Sequence, residues 1–305
     1  MTQADPRYLA ARDALNGLSV GDAFGQTFFH TNDRAVWFRD RALAKPPWRW
    51  TDDTAMALSI VEILGASGEI DQDALADRFA TIYREEPTRG YGGGAHDILA
   101  QIGSFTPWPQ ASSSAFGGTG SMGNGAAMRV APLGAFFAPD LDQAVVQAEA
   151  SAEVTHFHTE GKAGAVAVAV AAALACRART EQIERGAAFI DRVAEHLPEC
   201  HVREGLVEAA RLAPDTPIAT VAEKLGNGSR VLAQDTVPLV IWVAAHHLDT
   251  YEEALWLTVS AEGDMDTTAA MVGGIVASKV GTEAIPAAWL EAREALPPTP
   301  LDEGF

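Results

Sequence analysis

Helical periodicity is the sequence feature that most constrains how this chain can fold. Apolar residues recur at intervals of three and four along most of its 305 residues, and Asp, Ser, Thr or Gly precedes many of these stretches. No region alternates apolar and polar residues long enough to predict a β-sheet. The pattern therefore predicts an all-α fold, with helices over 6–22, 53–66, 72–84, 93–102, 125–136, 142–152, 161–178, 181–196, 202–212, 217–225, 235–247, 251–260 and 267–281.

The chain is expected to form one domain over residues 1–305. No linker-like segment divides it, and no repeat at a fixed period indicates a solenoid. The longest irregular stretches are 26–50 and 103–124, and the second is rich in Gly, Ser and Pro. Irregular segments this long inside a helical domain are usually functional or mobile.

Charge and cysteine content exclude several classes of function. Lys and Arg total 22 against 41 acidic residues, a net charge of −19, which argues against a general nucleic-acid binder. Cys176 and Cys200 lack CxxC spacing, so a cytoplasmic protein without structural disulfides is expected, and the first residues lack a signal-peptide profile. The most apolar stretch, Ala163–Cys176, is too short to span a bilayer, which predicts a buried helix and no membrane association.

Two carboxylate pairs stand at the starts of predicted helices far apart in the sequence. Asp52 and Asp53 open one helix, and Asp264 and Asp266 open another. Residues this close do not share the face of a helix body. At a helix start, however, the chain is turning and the exposed N–H groups favour anionic side chains, so the carboxylates can point at one centre.

Carboxylates gathered in this way repel one another unless cations neutralise them. Oxygen ligands, with the hydroxyl groups of Thr51 and Thr267 beside them, suit Mg²⁺ or Mn²⁺, and a pair of such ions can activate water. The alternative is that each cluster is only a helix cap, which is the commoner role of such residues. Sequence spacing leaves open whether the two clusters meet.

The second cluster also fits the DxDxT pattern of aspartyl-phosphate phosphatases. In those enzymes the first Asp is a nucleophile at the end of a parallel strand. Only 37 residues follow Thr268, too few to build that α/β domain. The phosphatase interpretation is therefore rejected.

A glycine-rich segment is the second candidate for a functional site. Five glycines lie between Gly117 and Gly125, just before a predicted helix, and such a loop lets backbone N–H groups approach phosphate oxygens. It matches neither the Walker nor the Rossmann pattern, and a flexible linker is the alternative. A second short loop around Gly226–Gly228 is placed to serve the same ligand. His156 and His158 lie between helices, where substrate donation or a structural role is commoner than metal binding.

These segments, in this order, resemble the ADP-ribosylglycohydrolase family, including the dinitrogenase-reductase-activating glycohydrolases, over nearly the whole chain. The resemblance implies an all-α orthogonal multi-helix bundle with two divalent cations, Mg²⁺ or Mn²⁺, at the bottom of a cleft. It also implies hydrolysis of the bond between C1″ of an ADP-ribosyl group and an arginine, a serine or a related acceptor. The matching segments are 21–25, 51–54, 89–92, 120–129, 155–156, 226–228, 236–238 and 263–267.

The same resemblance assigns roles to individual residues. The catalytic residues are expected to be Asp52 and Asp53. Asn124 is expected to face the distal ribose, Phe116 the adenosine, and His156 and Asn227 the rest of ADP-ribose. The metal ligands implied are Thr51, Asp52, Asp53, Asp264, Asp266 and Thr267. The diphosphate and ribose loop implied is Gly120, Ser121, Met122, Gly123, Asn124 and Gly125.

The chain departs from the family pattern just after the first matching segment, residues 21–25. The family commonly places a Glu four residues beyond the motif, where this chain has Phe29, and His30 and Asp33 are the nearest possible substitutes. Met122 replaces an aromatic residue of some relatives. Two alternatives to an ADP-ribosylhydrolase therefore stay open: a protein that binds ADP-ribose with little or no turnover, and a metal-dependent hydrolase of another ADP-ribose derivative. The expected partner is ADP-ribose or an ADP-ribosylated protein, and the expected state is a monomer.

Overall fold

The predicted helices form, and no β-strand occurs among residues 5–31 and 33–300, which are those that the computed structural model describes. The all-α prediction is confirmed. The helices are α1 (Pro6–Gln26), α2 (Arg34–Asp40), α3 (Asp52–Ser67), α4 (Gln72–Glu85), α5 (Gly93–Gly103), α6 (Trp108–Gly118), α7 (Ala131–Phe136), α8 (Leu141–Glu153), α9 (Thr159–Arg177), α10 (Ala187–Ala194), α11 (His201–Ala210), α12 (Ile218–Leu225), α13 (Ala233–His247), α14 (Tyr251–Val259), α15 (Met265–Val280) and α16 (Ala287–Ala292).

Both stretches predicted to be irregular contain a helix. In α2 the Asp33 side chain accepts a hydrogen bond from the Val36 N–H, and none of its seven residues is buried, so no apolar periodicity marks it. Helix α6 begins after Pro107 and is kinked where Phe116 adopts φ +54°. The prediction over 125–136 was wrong in its first half, because a short 3-10 turn over Asn124–Ala126 precedes α7. The prediction over 181–196 was wrong in its first six residues, because α10 begins at Ala187, after Gly186 with φ +61°.

Helices α1 and α15 pack with their backbones in direct contact. A Cβ atom on Gly21 would lie 2.1 Å from the carbonyl oxygen of Ala269, and one on Gly25 would lie 2.3 Å from that of Met265. Only glycine leaves room for this approach. The contact brings the last turns of α1 against the first turn of α15, where the second carboxylate pair begins.

Helix α9 lies in the hydrophobic core. It is long and apolar enough to cross a membrane by length and composition, and 83% of its apolar window is buried inside the fold. Ala and Val dominate it, and a Cβ atom on Gly134 of α7 would lie 2.1 Å from the carbonyl oxygen of Ala169. The prediction of a buried helix over Ala163–Cys176 is confirmed.

The two glycine loops are joined to each other by backbone hydrogen bonds. The Asn124 N–H donates to the Val231 carbonyl at 3.2 Å, and the Ala233 N–H donates to the Met122 carbonyl at 3.0 Å. The loop before α13 therefore supports the glycine-rich loop. It also contacts the start of α15, where the Asp264 N–H donates to the Asn227 carbonyl at 3.0 Å.

Candidate metal and substrate site

Asp22 joins α1 to the start of α3. This fully buried carboxylate accepts hydrogen bonds from the N–H and the hydroxyl of Thr51, at 2.9 Å each, and from the N–H and the hydroxyl of Thr54, at 3.2 and 2.5 Å. Burial raises its pKa to about 6. Asp22 therefore fixes the position of the first turn of α3, whose residues Asp52 and Asp53 point toward the second cluster.

The two carboxylate clusters meet. Asp22, Asp53 and Asp266 each offer an oxygen atom, and these atoms lie within 4.8 Å of one another. Oδ2 of Asp53 lies 2.9 Å from the Thr51 hydroxyl oxygen, whereas its Oδ1 is buried with no hydrogen-bond partner among the described residues. A buried carboxylate oxygen without a partner is costly, so this cluster fits a bound cation.

Asp264 and Asp52 complete the group. Oδ2 of Asp264 accepts a hydrogen bond from the side-chain amide of Asn124 at 2.8 Å, which ties the glycine-rich loop to the cluster. The Asp52 N–H donates to the Arg89 carbonyl at 2.8 Å, and its carboxylate accepts no hydrogen bond from another described residue. Asp266 accepts from the Thr267 N–H at 2.8 Å.

Electrostatics in the group are unfavourable without cations. Burial, followed by the charge of Asp22, raises the pKa of Asp52 to about 7 and that of Asp53 well above its ordinary value. Burial, followed by the charge of Asp264, does the same to the pKa of Asp266, and burial raises that of Asp264. Only bound cations, or protons in their place, relieve this repulsion, and an all-oxygen donor set suits Mg²⁺ or Mn²⁺.

The clusters open into a cavity of about 580 Å³, in which the two groups of predicted site residues lie together. The predicted metal ligands that line it are Asp52, Asp53, Asp264, Asp266 and Thr267. The predicted substrate contacts that line it are Phe116, Gly120, Ser121, Met122, Gly123, Asn124, Gly125 and His156.

The glycine-rich loop leaves backbone N–H groups available to a ligand. Those of Gly123 and Asn124 are used internally, by the Ser121 hydroxyl at 3.1 Å and the Val231 carbonyl at 3.2 Å. The N–H groups of Ser121 and Met122 donate to no described residue. These two groups are therefore free to bind phosphate oxygens.

His156 lies beneath this loop. A Cβ atom built on Gly123 or Gly125 would lie 3.3 Å from its Nε2, while its Nδ1 lies 2.8 Å from the Thr155 hydroxyl oxygen. Burial, followed by the charge of Arg129, lowers the pKa of His156 to about 3. The ring is therefore neutral near pH 7.

Phe116 stands at the rim of the cavity. Its side chain is exposed, and a Cβ atom on Gly94 would lie 2.7 Å from its ring. The ring therefore packs against the start of α5, with the remainder open to a ligand. Contact with adenosine stays a prediction.

Two predicted residues lie outside the cavity lining. The side-chain amide of Asn227 donates to the Ala261 carbonyl at 2.9 Å, and its backbone carbonyl accepts from the Asp264 N–H at 3.0 Å, so it supports the start of α15. The Thr51 hydroxyl oxygen lies 2.9 Å from carboxylate oxygens of both Asp22 and Asp53. Thr51 thus belongs to the carboxylate cluster without facing the cavity.

The segment after α1 does not reach the site. Phe29, His30 and Asp33 are absent from the described residues that line the cavity, and Asn32 lies outside the described residues. Phe29 is partly exposed beside the Arg34 guanidinium, which is 6.0 Å from its ring centroid. Among the described residues of this segment, none stands in the cavity as a substitute for the family's usual Glu.

Sequence reasoning missed two residues of the site. Asp22 was included only as part of the matching segment 21–25. A carboxylate inside an apolar helical stretch nevertheless indicates a buried acceptor. Sequence reasoning gave no role to Arg129, which lines the cavity and is fully buried. Nothing in the spacing of Arg129 distinguishes it from a surface arginine.

Comparison with known proteins gives consistent results. A family model described as ADP-ribosylglycohydrolase matches residues 4–302. The chain is 29% identical to ADP-ribosylhydrolase ARH3 of Gallus gallus, over 82% of this chain and 75% of that protein. It is 26% identical to ADP-ribosylarginine hydrolase Tri1 of Serratia proteamaculans, over 92% and 74%. A solved structure titled ADP-ribosylglycohydrolase-related protein complex superposes with a TM-score of 0.62 at 25% identity, covering 95% of this chain and 93% of that one.

Proposed function

The chain belongs to the ADP-ribosylglycohydrolase family, and on that premise we propose that it is a metal-dependent ADP-ribosylhydrolase that releases ADP-ribose from modified protein side chains. The bond broken joins C1″ of the ADP-ribosyl group to a serine, an arginine or a related acceptor. The names of the two relatives, an ADP-ribosylhydrolase and an ADP-ribosylarginine hydrolase, support this substrate class.

One observation carries the proposal. Buried carboxylates from two distant parts of the chain line the same cavity as the glycine-rich loop, and Asn124 links the two through its hydrogen bond to Asp264. A diphosphate held by the loop would therefore extend toward the carboxylates, where the ribose and its C1″ would lie.

The residues present fit two divalent cations. Asp52, Asp53, Asp264 and Asp266 would hold them, with Thr51 and Thr267 contributing oxygen atoms. When bound, such ions polarise substrate oxygens and lower the pKa of water. The unpartnered Oδ1 of Asp53 is the observation of this chain that supports their presence.

The chain's own groups divide the remaining tasks. The N–H groups of Ser121 and Met122 bind the diphosphate, and His156 donates to a ligand oxygen. The Asp52 carboxylate, which accepts no hydrogen bond from another described residue, orients the attacking water and accepts its proton. The water oxygen bonds to C1″, the bond from C1″ to the acceptor atom breaks with its electron pair on the acceptor, and the acceptor takes up the proton that Asp52 received.

The test is release of ADP-ribose from defined substrates. The protein and Mg²⁺ are incubated with serine-modified and arginine-modified peptides, and free ADP-ribose is quantified by chromatography. Release by the wild type that falls at least about a hundredfold in Asp264→Ala is expected, and Asp191→Ala, at an exposed position on α10, is the control. Tight binding of ADP-ribose with no release from either peptide would contradict the proposal.

A second candidate is an ADP-ribose-binding protein with little turnover. The observation that favours it is Phe29, which stands where the family commonly has Glu, in a segment that contributes no described residue to the cavity. Calorimetry would then show ADP-ribose binding in wild type and Asp264→Ala alike, and no acceptor would be released.

A further inference from the structure

Arg129 is a buried arginine without a buried acidic partner in hydrogen-bond contact. Its Nη2 donates to the Ser151 carbonyl at 2.9 Å and to the Thr155 hydroxyl oxygen at 3.0 Å, and its guanidinium lies 4.4 Å from the centroid of the Phe79 ring. No described carboxylate lies within hydrogen-bonding distance of it. Burial of an arginine in this way is costly.

The Thr155 hydroxyl links Arg129 to His156 by hydrogen bonds. Because an arginine N–H can only donate, the Thr155 oxygen must accept from Arg129. The hydroxyl proton of Thr155 then needs an acceptor, and Nδ1 of His156, at 2.8 Å, is the one available among the described residues. A buried hydroxyl proton left without an acceptor is unfavourable, so the Thr155 hydroxyl donates to Nδ1.

An imidazole nitrogen that accepts a hydrogen bond carries no proton. In the neutral ring the proton is therefore on Nε2. Nε2 makes no hydrogen bond within the described part of the chain and lies beside Gly123 and Gly125 of the glycine-rich loop. We propose that Arg129 is a positioning residue that, through Thr155, holds His156 as an Nε2–H donor toward the ligand in the cavity. The ligand part of this inference rests on the proposed function.

The charge of Arg129 also favours a neutral His156 ring. A neutral donor adds no positive charge next to Arg129, and the charge of Arg129 in turn disfavours protonation of the ring. The ligand oxygens that it suits are those of the diphosphate or of the ribose next to it, since both accept hydrogen bonds. A purely structural role for Arg129, through Ser151 alone, would leave the tautomer of His156 unchanged when Arg129 itself is replaced.

The test uses the full chain labelled with ¹⁵N on its histidines. The ring shifts of His156, assigned by comparison with His156→Gln, report which nitrogen is protonated in the ligand-free protein. The wild type and Thr155→Ser are expected to carry the proton on Nε2, and Thr155→Val is expected to shift a large fraction to Nδ1. Thr155→Val tests the hydroxyl, and two variants test the arginine: Arg129→Lys, which keeps a buried N–H donor, is expected to retain the proton on Nε2, and Arg129→Met is expected to lose that preference. An unchanged tautomer in folded Arg129→Met would overturn the role of Arg129.

Binding and turnover provide the second readout. In Thr155→Val, the Kd for ADP-ribose and the KM for the substrate are expected to rise about tenfold, with kcat changing by less than about twofold. Thr155→Ser is expected to match the wild type in both. A wild-type ring protonated on Nδ1, or a tautomer unchanged in Thr155→Val, would overturn the inference. If the wild type binds no ADP-ribose, the proposed function fails, while the ring shifts still decide the tautomer.

Discussion

At the scale of single residues, the site contains side chains that lower the stability of the folded protein. Asp53 is buried with one carboxylate oxygen lacking a partner among the described residues, and its neighbours Asp22 and Asp266 carry the same charge. Burial and this repulsion raise the pKa of Asp53. The folded, metal-free protein is therefore destabilised at any pH at which these carboxylates ionise.

Asp53→Asn is expected to stabilise the metal-free protein. Because the neutral amide removes one charge from the cluster, the free energy of unfolding should rise by about 0.5–2 kcal/mol at pH 7.5 in the presence of a chelator. The same variant should lose the stabilisation that Mg²⁺ gives the wild type. Chemical denaturation measures both, with Asp191→Asn as the surface control. A variant less stable than the wild type in chelator would contradict the account.

His156 makes the stability of the fold depend on pH in the opposite direction to the buried carboxylates. Its pKa is lowered in the folded protein to about 3, whereas the unfolded chain binds a proton near the ordinary value of 6.5. The contribution of His156 to the free energy of unfolding is therefore fully present above pH 6.5, and it is lost as the pH falls toward 3. Between pH 7.5 and 4.5 the wild type should lose about 2–3 kcal/mol relative to His156→Gln, since each pH unit below 6.5 costs about 1.4 kcal/mol. Parallel stability curves for the two proteins would show that the ring is not held neutral.

At the scale of elements, the site depends on how closely α1 approaches α15. Gly21 and Gly25 allow backbone contact with Ala269 and Met265, and Asp22 follows Gly21 directly. The hydrogen bonds from Asp22 to Thr51 and Thr54 then fix α3 against the same helix. Three helix segments are thus held together by contacts within the protein itself.

Gly21→Ala is expected to lower the affinity of the site for Mg²⁺, although Gly21 is not one of the proposed ligands. Its Cβ atom would lie 2.1 Å from the Ala269 carbonyl oxygen, so α1 must move away from α15. We expect a loss of about 1–3 kcal/mol in the free energy of unfolding and a lower affinity for Mg²⁺, measured by denaturation and calorimetry. Gly103→Ala is the control, because its Cβ atom would lie 3.9 Å from that of Ala80. Equal effects of the two substitutions would argue against the close contact as the cause.

At the scale of the whole molecule, the sequence predicted the helical architecture well because long helices carry their own periodicity. It failed for α2, which buries no residue, and for α6, which is kinked at Phe116. The carboxylate pairs were identified as candidates, but their convergence depends on Asp22, whose partners lie 29 and 32 residues away along the chain. No local pattern encodes such contacts. The monomeric state and the cytoplasmic location stay predictions.

The converging carboxylates of α3 and α15 are proposed to form a centre for two divalent cations. Mn²⁺ titrated into chelator-treated, desalted protein tests it directly, because the electron paramagnetic resonance signal of free Mn²⁺ disappears on binding. The account predicts two bound ions per chain with a spin-coupled signal, and loss of that signal in Asp53→Asn but not in Asp191→Asn. A full free-ion signal at every concentration of wild-type protein would contradict it.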